Sequence, residues 1–343
     1  MRGKYKSLAI IAENLGELYE GGIDISLAIE LISELPLGKV YKRSLLEIRE
    51  NILNGENLSD TFRLYPKLYP EFFVGMIEVG EQNGDISKVL FSLHKYYDKQ
   101  DRMKRTIINT SIYPIFIIAS MIILLLFLIF FLVPSFYESF NNSTDSVPSI
   151  ITNIIKFKEF ASRDTMLFFL QSICYAIVIP AILIKGLFKS RSKASFISKI
   201  KLGREIYEYV FILILSVVCN SGIPISVGIE YAINSSNVLP VKSLLKKLNN
   251  DILRGMEIGE SLDKSILISK YTLAMIKLGE RSGTLASTIN KLEGRLEKEN
   301  DIKVKSVIEF IQPIMIFAMA IAVGAFIVIF ILPMFDMVYS GVM

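Results

Sequence analysis

One histidine and two cysteines in 343 residues leave little from which to build a metal centre, a disulfide framework or a nucleophile–base pair. His94 sits among Leu93, Lys95 and Tyr96 on an amphipathic stretch, with no serine, cysteine or carboxylate constellation that would make it a general base. Cys174 and Cys219 lie in apolar surroundings and read as small packing residues. A phosphate-binding Gly-x-x-x-x-Gly-Lys-[Ser/Thr] loop is missing too, because Gly38-Lys39 runs into Val40 and lacks the upstream glycine. No residue is therefore assigned a catalytic, cofactor-binding or metal-binding role, and the chain is read as a non-enzyme. β-type alternation is sparse, which leaves an all-α chain.

Charge is missing from three long stretches, residues 107–133, 166–184 (with Pro180 inside) and 310–332. Twenty or so apolar residues at about 1.5 Å each cross a hydrocarbon core of about 30 Å. With 52% apolar and 21% charged residues, the chain is too apolar for water alone and too charged for lipid alone, so it is expected to alternate between them. Lys95, Lys99, Arg102, Lys104 and Arg105 precede the first stretch, and Lys185, Lys189 and Arg191 follow the second. By the positive-inside rule the large segments before the first stretch and between the second and third are cytoplasmic, and three spans put the N-terminus in the cytoplasm and the C-terminus outside. Met1-Arg-Gly-Lys-Tyr-Lys has no adjoining apolar core or cleavage site, so no cleaved signal peptide is expected. The net charge of +4 gathers beside the spans, which suits anionic membrane lipid and not nucleic acid.

What the chain does have is a copy of itself. Gly22-Ile23-Asp24-Ile25-Ser26-Leu27-Ala28-Ile29-Glu30 returns as Gly222-Ile223-Pro224-Ile225-Ser226-Val227-Gly228-Ile229-Glu230. Gly55 meets Gly255 in the same register; one residue is then lost, after which Gly80, Glu81, Gly84 and Pro114 meet Gly279, Glu280, Gly283 and Pro313. Apolar residues at three- and four-residue intervals predict helices over 7–19, 26–35, 41–53, 71–79 and from 85 onward, the last running into the first span. Asp24 and Pro224 both suit a helix start, as do Asp85 and Thr284. The expected architecture is thus duplicated helical-bundle cytoplasmic modules with three transmembrane helices: module 1 (1–106), a span (107–133), an external loop (134–165), a span (166–184), module 2 (185–309), a span (310–332) and an external tail (333–343).

The segments Gly80-Glu81-Gln82-Asn83-Gly84 and Gly279-Glu280-Arg281-Ser282-Gly283, each ahead of a long helix leading to Tyr113-Pro114 or Gln312-Pro313, resemble the paired signature of the type II secretion system F family. That family comprises inner-membrane platform proteins of type II secretion, type IV pili and competence pseudopili. The resemblance implies a multi-pass inner-membrane protein that docks a hexameric assembly ATPase and passes its motion to pilins or pseudopilins, with pilus alignment proteins and further copies of itself as other partners. No cofactor is implied.

Gly80, Gly84, Gly279 and Gly283 are read as structural turns that aim the long helices. Glu81 and Glu280 either cap or pair within the protein or face a basic patch on the ATPase, and Glu30 and Glu230 stand between a solvated face and a partner contact. Pro114 and Pro313, which lack a backbone donor, are candidate hinges or packing sites within the membrane. Gly324, amid Ala318, Ala320, Ala322 and Ala325, belongs to a small-residue face suited to close helix contact. The rival reading, a small-solute transporter or channel subunit, would need ionisable groups within the spans, and their apolar cores have none.

Overall fold

The computed structural model describes residues 3–127, 201–236, 238–332 and 335, and among them every regular element is a helix. A first series runs α1 (Lys4–Glu20), α2 (Ile25–Glu34), α3 (Lys39–Leu53), α4 (Leu58–Arg63), α5 (Glu71–Asn83) and α6 (Ile86–Phe127). A second runs α7 (Lys201–Asn220), α8 (Ile225–Ser235), α9 (Leu239–Leu253), α10 (Ile258–Ser261), α11 (Lys270–Arg281) and α12 (Leu285–Phe326), which ends in a π-helical turn, Ile327–Ile331. The Asp24 carboxylate caps α2 by accepting the Ser26 N–H at 2.8 Å and the Ser26 hydroxyl at 2.5 Å. Those two bonds hold its carboxyl below the usual range. Pro224 stands at the matching point before α8, where its missing N–H costs nothing.

Two expectations need correction. The two helix series do not form separate bundles: Met1–Thr106 and Arg191–Lys303 make one compact unit. A single apolar core runs through both, from Leu8 to Leu296. The reason lies in α7. Residues from Tyr209 to Val218 are buried whichever way they point, including Phe211, Ile212, Leu215 and Val218. A helix that is apolar all round must be enclosed on all sides. What the structure repeats is the helix order, inside one compact unit.

The span count is the second correction. Two helices among the described residues are long and apolar enough to cross a bilayer, α6 over Ile86–Leu124 and α12 over Leu285–Phe326, and not three. The remaining candidate, 166–184, lies outside the described residues, as do Cys174, the loop 134–165 and nearly all of the tail 333–343. The two membrane-length helices among the described residues do not by themselves place the chain's ends on opposite sides. The second compact unit, Ile107–Ser190 with Val304–Met343, contains the apolar ends of α6 and α12. Ile112, Phe116, Phe310, Ile314 and Phe317 there expose most of their side chains. Apolar surface that continuous is unfavourable in water and suits lipid, with the backbone satisfied inside each helix.

Within the first unit, α8 packs on α5. Gly75 makes that contact possible: a Cβ added there would lie 2.1 Å from Cδ1 of Tyr231, whose hydroxyl donates to Glu78 Oε2 at 3.1 Å. Gly75→Ala is expected to destabilise by about 1–3 kcal/mol through overpacking. Adding Tyr231→Leu should recover most of the loss. Unfolding midpoints of the three variants in detergent test this, and an alanine with no cost would refute the tight packing.

Candidate functional site: the paired signature turns and the seam between the long helices

The two Gly-Glu-x-x-Gly segments adopt the same geometry, and each residue type has a separate reason. Gly84 and Gly283 take left-handed backbones, φ 73° and 67°, at the ends of α5 and α11. The Asp85 N–H donates to the Gly80 carbonyl at 3.0 Å, and the Thr284 N–H to the Gly279 carbonyl at 2.8 Å, which closes a Schellman turn in each copy. Gly80 and Gly279 allow close approach of the next helix: a Cβ would fall 3.0 Å from Val89 Cγ2 in the first case and 2.8 Å from Thr288 Cβ in the second. The turn and the bare helix face together fix how α6 and α12 leave the helices before them.

The glutamates reach back to a different helix. Glu81 Oε1 and Oε2 accept the N–H groups of Leu58 and Ser59 at 2.7 and 2.9 Å, at the start of α4. Glu280 does the same for Ile258 and Gly259 at 2.7 and 2.8 Å, at the start of α10. A carboxylate on the free N–H groups of a helix start satisfies donors that have no partner within the helix and also favours the helix dipole. Both oxygens of each glutamate are thus engaged within the protein. The short helices α4 and α10 were not foreseen from the sequence.

Glu30 pairs with Arg49 across α2 and α3 at 2.9 Å. Glu230 is exposed, and Asn249 occupies the position that matches Arg49, so the second series lacks that pair. His94 directs Nδ1 to the Ala9 carbonyl at 3.1 Å and lies 3.6 Å from Glu13, tying α6 to α1. Burial pushes the Cys219 thiol up to about 11, which leaves it a poor nucleophile at neutral pH.

A polar seam joins α6 to α12. The Glu293 side chain is 2% exposed and pairs with Lys99, which also reaches Glu297 at 2.7 Å, and with Lys95 at 3.4 Å. Above it, Asn290 Oδ1 accepts from Lys95 Nζ (3.2 Å), from Ser216 (2.7 Å) and from Asn220 Nδ2 (2.7 Å). Asn290 Nδ2 donates in turn to Asn220 Oδ1 at 2.8 Å. Burial, then the Glu297 and Glu293 carboxylates, drive the nearby Tyr209 phenol upward. The sequence suggested juxtamembrane charge for Lys95 and Lys99, yet Lys99 is an interior cation with two carboxylate partners.

Further along the two helices, Pro114 and Pro313 occur within unbroken α6 and α12. Their preceding residues meet: Gln312 Nε2 donates to Tyr113 Oη at 3.3 Å, 199 positions apart. Among the described residues, no atom outside its own stretch of helix lies within 4 Å of where a Gly324 Cβ would stand. Among the described residues no cluster of three or more histidines, cysteines and carboxylates has the makings of a metal site.

Comparison with known proteins fits that geometry. The family model described as type II secretion system (T2SS), protein F, matches twice, over residues 11–134 and 211–333. The chain is 21% identical to the type IV pilus assembly protein PilC of Pseudomonas aeruginosa, over 97% of this chain and 90% of the relative. It is 22% identical to type II secretion system protein F of Vibrio cholerae, over 96% and 82%. Similarity to the protein transport protein HofC homolog of Escherichia coli is 20%, over 96% and 83%. Together with the two membrane-length apolar helices, these matches identify a non-catalytic inner-membrane scaffold, and the chain belongs to the type II secretion system protein F family.

Proposed function

We propose that this protein is the membrane platform of a type IV-like filament machine, coupling a cytoplasmic assembly ATPase to the insertion of pilins or pseudopilins. The observation that carries this reading is the pair of 42-residue helices α6 and α12, each continuous from the charged, core-forming part of the chain into a membrane-grade segment. At about 1.5 Å per residue each is a rod of roughly 63 Å. A rod of that kind transmits displacement only if its register is held, and the seam of Lys99, Glu293 and Glu297 supports such a role. In this reading the helical unit faces the cytoplasm, where the excess of Lys and Arg beside the apolar stretches favours it. Pro114 and Pro313 would be the points at which motion enters the bilayer, and the outer faces of the helical unit would bind the hexameric ATPase.

Deletion of the gene is expected to abolish filament or pseudopilus assembly, scored by electron microscopy of sheared surface fractions. The ATPase should also co-purify with the full chain from gently solubilised membranes. Intact filaments in the deletion strain, with no ATPase in the purified fraction, would sink the reading.

A further inference from the structure

The two helix series differ most where one of them has a partner and the other does not. In the first series α5 is buried almost all round, and one of the helices that cover it is α8 of the second series. In the second series α11 buries only Thr272, Ile276 and Gly279. Phe72, Gly75 and Val79, all buried on α5, match Tyr271, Ala274 and Leu278 on α11, and of the three it is Gly75 that lies against Tyr231 of α8. Val79 is 7% exposed and Leu278 61%; Phe72 is 2% exposed and Tyr271 49%, even with the Arg295 guanidinium over its ring. Ala274 is exposed as well. The other half of the contact repeats the pattern. Val227 and Tyr231 of α8 pack into the core, whereas their counterparts on α2, Leu27 and Leu31, are 48% and 41% exposed. One chain thus contains a finished α8–α5 joint and both halves of an unfinished one.

Charge separates the two unfinished halves. Glu30 and Glu34 are the only charged residues on α2, and both are acidic. On α11, Lys270 and Lys277 stand where α5 has Glu71 and Glu78, with Arg281 one turn further. Lys277 is held by Asp263 at 2.5 Å, as Glu30 is by Arg49, so the charges left for a partner are Glu34 on α2 and Lys270 and Arg281 on α11. An acidic helix with an exposed leucine stripe therefore faces the chemistry of a basic helix with an exposed apolar stripe. Like-signed faces would resist pairing, and these are of opposite sign.

We infer that α2 of one copy of this chain docks on α11 of a second copy, reproducing between chains the α8–α5 joint made within each chain. Leu31 occupies the place of Tyr231, and Ala274 that of Gly75; the smaller leucine leaves room for the alanine methyl that Tyr231 would not tolerate. Because the two surfaces differ, the association is head-to-tail, and it closes into a ring or continues as a chain of subunits.

The test uses the full-length protein in native membranes, with Cys174→Ala and Cys219→Ala to remove the natural thiols. Leu31→Cys and Ala274→Cys are placed on separate, differently tagged copies and co-expressed. Mild oxidation is expected to link the two tags into a dimer, while either variant expressed alone stays monomeric. Both substitutions on one chain should give a ladder of dimers and higher species. Leu278→Asp should remove the ladder and lower the copy number seen by mass measurement in lipid nanodiscs, with helical content unchanged. Ala274→Cys linking to itself would overturn the proposal, as would absence of any mixed dimer in membranes. So would a Leu278→Asp variant that keeps its copy number but loses the ATPase, since the face would then belong to the motor.

Discussion

Lys99→Met is expected to lower the stability of the helical unit by about 3–5 kcal/mol, the usual consequence of removing one partner from a buried ion pair. Glu293 is almost wholly enclosed, and Lys99 is its close cation. Lys95 also reaches Glu293, but at 3.4 Å and from a side chain that is 40% exposed, so it gives only screened compensation. Methionine keeps the length and apolar stem of lysine, which isolates the charge as the variable. The same change at Lys95 should cost at most about 1 kcal/mol, in line with half-exposed pairs. Lys99→Met combined with Glu293→Leu should recover much of the loss, because the stranded carboxylate is then gone as well. Denaturant midpoints of full-length protein in detergent decide the matter. A Lys99→Met variant that unfolds with the wild type, or a double variant no better than the single, would show that the seam does not hold α6 to α12.

The seam also marks where sequence reading stops. Helix starts near Asp24 and Pro224, the turns at Gly84 and Gly283, and the long helices after them were all legible, because each depends on neighbours a few residues away. Lys99 and Glu293 are 194 positions apart, and on its own helix each looks like one more solvated charge. The short helices α4 and α10 were invisible for another reason. Six and four residues are too few to establish a 3.6-residue period. Their starts are stabilised by carboxylates more than 20 residues downstream. The fusion of the two series into one unit did leave a trace, the stretch from Tyr209 to Val218, which has no polar face to turn toward water. A helix without a polar face has to be enclosed on every side, unlike α1, which keeps an exposed polar side.

The signature glutamates yield the second large effect, and they also separate two roles that the sequence leaves open. Glu81→Ala and Glu280→Ala should each destabilise by about 2–4 kcal/mol, since each removes two charge-assisted hydrogen bonds and strands the N–H groups at a helix start. The environments are matched: Glu81 and Glu280 are both part-buried, and each bond is 2.7–2.9 Å long. Glutamine should preserve less than half of the stabilisation, because its amide offers one acceptor oxygen and turns an N–H₂ group toward the second donor. The local signature should be faster amide exchange at Leu58 and Ser59, or at Ile258 and Gly259, with cleavage by protease near α4 or α10. If either glutamate acts instead by gripping the ATPase, its alanine variant will keep its unfolding midpoint and exchange pattern while losing filament assembly. A stability loss that rises from glutamine to alanine, in parallel at both sites, is the outcome that the paired caps require.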